Sequence, residues 1–73
     1  MAREPIIMGK DTVELRVDDI VVRLDDKNKI ADWVQLKKET TPISCRGRHF
    51  EAKSQHGTMQ HVCYLPGKVK VAV

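Results

Sequence analysis

The chain has 73 residues, with 13 Lys+Arg against 10 Asp+Glu and a formal net charge of +3. That length allows one small domain and excludes a multidomain enzyme. A domain of this size buries only about 60% of the surface its unfolded chain exposes, so any core is thin. Nineteen residues are Val, Ile, Leu or Phe, enough apolar side chains for a folded, soluble domain.

No stretch approaches the roughly 18 consecutive apolar residues of a membrane helix. The first eight residues include Glu4 and Pro5 and do not read as a signal peptide. Two cysteines are too few for a disulfide scaffold, so reduced thiols in a cytoplasmic protein are expected. The charge is split. Residues 1–40 hold eight Lys+Arg and nine acids, whereas residues 41–73 hold five Lys+Arg and one acid, Glu51. An acidic and a basic face would suit a charged macromolecular partner, although for so small a net charge a solvated surface is the favoured reading.

Residues 1–8 are expected to form an N-terminal arm, flexible or docked as an edge strand, with residues 9–73 as the single compact domain. Residues 12–17 alternate, with Val13, Leu15 and Val17 on one face, and predict a strand. Residues 20–24 predict a second, after a turn or bulge at Asp18 and Asp19. Asp25 and Asp26 suit a helix N-terminus. Ile30, Trp33 and Val34 follow at helical spacing, with Lys37 and Lys38 near the end and Pro42 as a stop. The spacing predicts a helix over 27–39. The alternative is a strand over 30–36, which accommodates Leu36 better. Residues 48–53 and 59–65 predict a hairpin around Gly57, and Pro66-Gly67 a turn into a terminal strand carrying Val69, Val71 and Val73. The expected fold is α+β, an antiparallel sheet with one helix; with the strand at 30–36 it becomes a small all-β barrel.

Cys45, His49, His61 and Cys63 have the ligand chemistry of tetrahedral zinc, but Cys-x3-His followed by His-x-Cys is not a usual zinc-knuckle spacing. A buried Cys63 packing as a small hydrophobe, with the histidines on the surface, is the simpler reading, so no metal and no cofactor are expected. Cys45 beside Arg46 has too little chain around it for an oxyanion hole and a cleft, which argues against an enzyme. Arg46, Arg48 and Lys53, with Lys68 and Lys70, suggest phosphate contacts, but three aromatics and no recognition motif leave nucleic acid as a second choice. A protein-binding module needs the fewest special residues. Its candidate contacts are Arg46, Arg48 and Lys53, or the acidic pair Asp18 and Asp19.

In its 73-residue length, split charge, scarcity of cysteine and lack of catalytic motifs, the whole chain resembles the small bacteriophage-encoded proteins that bind host RNA polymerase. The resemblance assigns no residue a role. It implies a protein of the host bacterial cytoplasm that binds bacterial RNA polymerase and inhibits σ-dependent initiation, with antitermination as a second activity; a monomer that does not engage a membrane is expected separately.

Overall fold

A computed structural model describes residues 6–41 and 44–73. The first five residues of the expected arm and the helix-stopping Pro42 lie outside them. Six strands form one antiparallel sheet: β1 (Ile7–Asp11), β2 (Ile20–Leu24), β3 (Ile30–Thr40), β4 (Arg48–Ser54), β5 (Met59–Tyr64) and β6 (Lys68–Ala72). The order across the sheet is β1-β6-β2-β3-β4-β5. The final strand thus inserts between the first and second, and β2 to β5 form a meander.

The predicted helix is not present; residues 30–40 are the longest strand. Two physical signals decide it. Asp25 does not cap a helix: its Oδ1 accepts from the backbone N–H groups of Lys27 and Lys29, and Asn28 takes φ 60°. The acidic run is therefore a hairpin turn, the other local structure that Asp and Asn side chains favour. Alternation then wins over the helical stripe. Val34 and Leu36 point to one face and Trp33 to the other, and β3 finds ladder partners on both sides, β2 and β4. A lone helix here would have left both ladders unmade.

Residues 12–17 are also not a strand. Asp11 Oδ1 accepts from Val13 N–H, and Thr12–Glu14 form a single 3-10 turn, the only helical element among the described residues. Leu15 is buried, whereas Val13 and Val17, expected on the same face, are exposed. No helix among the described residues is long and apolar enough to cross a membrane.

The sheet is curled. Three residues connect β5 to β6, so the ends they join stand at most about 14 Å apart. On a flat sheet the four intervening strand spacings would separate β5 from β6 by roughly 19 Å. Curling brings them within reach and makes one face concave. Closure stops short of the alternative barrel: β1 and β5 remain edges, with no ladder between them. The concave face carries Val21, Leu36, Phe50, Ala52 and Val71, and Leu15 folds in from the 3-10 segment to complete the core. Burial of each large side chain among these contributes about 1.5–3 kcal/mol.

A bulge between Leu36 and Lys38 shifts the alternation of β3. It turns Glu39 to the concave face, opposite Phe50 and next to Arg48. Arg48 Nε and Nη2 donate to the Glu39 carboxylate at 2.8 and 2.7 Å, and its Nη1 donates to the carbonyls of Thr12 and Leu15 at 2.9 and 2.7 Å. One side chain thus joins β3, β4 and the 3-10 segment.

The loop entering β4 passes close to the end of β5. A Cβ added at Gly47 would stand 1.9 Å from the Tyr64 carbonyl oxygen, which is backbone and has little room to yield. Gly47→Ala is expected to destabilise the domain by about 1–3 kcal/mol, read from denaturant midpoints; an unchanged midpoint would show that this approach is not needed.

Candidate functional site

The two faces of the sheet differ in how their charges are used. On the concave face they are paired: Arg23 binds Asp32 through Nε at 3.0 Å and also through Nη2, and Arg48 binds Glu39. Each bond holds the carboxyl of its acid below the usual range. On the convex face Lys38, Lys53, Lys68 and Lys70 make no ion pair among the described residues. Trp33 also lies there, in the same cross-strand row as Val22 and Lys70.

The sequence candidates therefore separate. Arg46 is exposed in the loop before β4, and Lys53 is exposed on the convex face. Arg48 lies on the opposite face and is held internally, so these three do not form one patch. Asp18 is exposed at the turn with φ 79°. Asp19 is half-buried; its carboxylate accepts from Lys10 Nζ at 2.8 Å and from the Arg16 N–H at 2.9 Å. Burial pushes the Asp19 carboxyl up, but these bonds and the nearby positive charges outweigh it and hold it low.

The four zinc candidates do come together, in a different chemical state from the expected free thiols. Cys45 and Cys63 form a disulfide. The loop that carries Cys45 back across the end of β4 brings its Cα within 5.9 Å of that of Cys63. Nothing in the spacing of two cysteines reveals such an approach. His49 lies directly opposite Cys63 in the β4–β5 ladder, and His61 precedes Cys63 by two residues on the same face. The two imidazoles stack, with centroids 5.1 Å apart and planes within 11°. His49 Nδ1 is hydrogen-bonded to Thr40 Oγ1. With both sulfurs bonded to each other, no group of three or more His, Cys, Asp or Glu among the described residues is set to hold a metal ion.

Two further features bear on binding: the first falls on residues expected from sequence to dock as an edge strand, and only the second was not assigned from sequence. Ile6, Met8 and Val73 are 70%, 49% and 74% exposed and cluster at the β1 edge, where Val73 N–H donates to the Ile6 carbonyl. The apolar run at residues 6–8 is the signal that points to this edge. The concave face also opens, away from Leu15, into a groove of about 770 Å³ lined by Arg23, Asp32, Ser54, Gln60 and Tyr64. Tyr64 packs beside Phe50, with centroids 6.4 Å apart.

Compared with protein-family models, with curated proteins and with solved structures, the chain matches none.

Burial pushes the Tyr64 hydroxyl up to about 12 from a usual 10. Because the folded value is the higher one, the contribution to stability is complete below pH 10 and is lost as pH rises toward 12. Tyr64 is the only tyrosine, so phenolate absorbance during an alkaline titration reads it alone. The midpoint is expected well above 10 while the chain stays folded; a midpoint at 10 in the folded chain would contradict this burial.

Proposed function

We propose that this chain is a non-catalytic protein-binding module that pairs with a partner through its β1 edge, and that the partner is bacterial RNA polymerase. The observation that carries the binding mode is the exposed apolar cluster at this edge of the sheet, Met8 on β1 with Ile6 just before it and Val73 just after β6. An edge strand presents unpaired backbone N–H and C=O groups, and proteins normally protect such an edge with charges, prolines or a covering segment. Strand addition uses those backbone groups for affinity and the flanking side chains for specificity. The target is supplied by the whole-chain resemblance. With it come inhibition of σ-dependent initiation, a role in antitermination and a host cytoplasmic location; the binder itself is a monomer. A small binder of this kind shifts the polymerase by its differential affinity for two states of the enzyme.

A second reading rests on the convex face, which carries Lys38, Lys53, Lys68 and Lys70 as well as Trp33. Phosphates of nucleic acid would be held there, and the affinity would fall steeply with salt.

Binding of the full chain to purified RNA polymerase core and σ-holoenzyme separates the two readings. The protein-binding reading expects saturable binding that weakens at least roughly tenfold in Met8→Lys, which sets a charge on the edge, and that is unaffected by Lys53→Glu. No binding to either enzyme form would reject the polymerase target. Equal binding by Met8→Lys would reject the edge. Loss of binding in Lys53→Glu, together with a steep salt dependence on nucleic acid alone, would favour the convex face.

A further inference from the structure

The convex end of the β4–β5 hairpin gathers Cys45, Cys63, His49 and His61 around one cavity, which Thr40, Thr41 and Ser44 also line. We propose that reducing the Cys45–Cys63 disulfide converts this cluster into a two-thiolate, two-imidazole site for a zinc-class divalent cation. This inference stands independently of the protein-binding reading.

The placement is specific in three respects. First, the ligand set is of the kind that holds zinc tetrahedrally, two sulfurs and two imidazole nitrogens. Second, three of the four positions are fixed by one two-strand ladder. His49 faces Cys63 across it, and His61 and Cys63 share a face of β5. The fourth, Cys45, is already held with its Cα 5.9 Å from that of Cys63. Two thiolates on a tetrahedral centre stand roughly 3.8 Å apart, given metal–sulfur bonds of about 2.3 Å. Rotation of the two cysteine side chains has to supply that separation, and the two imidazoles, stacked in the oxidised chain, have to turn out of their parallel planes to reach one metal. Third, the Thr40 hydroxyl engages His49 Nδ1 and leaves Nε2 as the ligand atom. A hydrogen bond of this kind to the non-ligating nitrogen is how metal-binding imidazoles are commonly oriented.

The chemistry balances. A dithiol reductant supplies two electrons and two protons, the S–S bond breaks, two thiols form on the chain, and the reductant becomes a disulfide. Metal binding then forms two metal–sulfur bonds and releases both thiol protons to solvent. A reducing compartment favours the metal-ready form, and an oxidising one favours the disulfide.

The test uses the full chain, oxidised and after reduction with a phosphine that does not compete for metal. Cobalt(II) reports thiolate ligation through its sulfur-to-metal charge-transfer absorption, and zinc is measured in competition with a chromophoric chelator. The reduced chain is expected to take up one equivalent with that absorption, and the oxidised chain none. His61→Ala, at an exposed position, is expected to keep the fold by circular dichroism and to weaken binding at least roughly tenfold, as is His49→Ala. A reduced chain that binds no cobalt overturns the proposal. So does equal uptake by oxidised and reduced chains, or binding that neither histidine substitution alters.

Discussion

The guanidinium of Arg48 is the point on which the rest of the structure depends. A curled sheet of six strands leaves its concave side partly open, and the 3-10 segment must stay against that side if Leu15 is to complete the core. Thr12 is buried with it. Arg48 meets this constraint by donating to the Thr12 and Leu15 carbonyls while two further N–H groups grip Glu39. Its guanidinium carbon also sits 5.0 Å from the centroid of the Phe50 ring, within cation–π range. A lysine in its place would offer a point charge and not a planar fork. The bulge in β3 belongs to the same device, because without the extra residue Glu39 would face the other way.

Internal use of charge also divides the surface. Arg48, Asp19 and Arg23 have partners within the chain. What remains for a partner is the apolar β1 edge, the convex-face lysines and Trp33, and the disulfide with its two histidines. These lie on different parts of the sheet, so each can be altered without disturbing the core contacts of the others.

Much of the β structure was legible because period-two alternation survives in residues 48–54, 59–64 and 68–72, and Gly57 and Pro66-Gly67 mark real turns. The failures share one cause. Asp11 and Asp25 each bind nearby backbone N–H groups, and a sequence shows that Asp is present without showing whether it caps a helix or closes a turn. At Asp25 the hairpin won, so residues 30–40 entered the sheet. At Asp11 a 3-10 turn won, so an alternating stretch left it. Candidate site residues were legible by type but not by placement. The four Cys and His residues converge only because the β4–β5 register sets His49 against Cys63 and a loop returns Cys45. Arg48 and Lys53 separate because five residues along a strand is an odd number, which puts them on opposite faces.

The most direct test of the structural account is amide hydrogen exchange in Arg48→Met beside the unaltered chain. The account predicts that protection falls at the amides of Thr12, Leu15 and Asp18, which donate within or from the segment that Arg48 holds. It also predicts that the β2–β3 ladder remains the best-protected region and that overall stability drops by about 1–3 kcal/mol. Unchanged protection at Thr12 and Leu15, with unchanged stability, would contradict the claim that Arg48 holds the curled sheet and its 3-10 segment together.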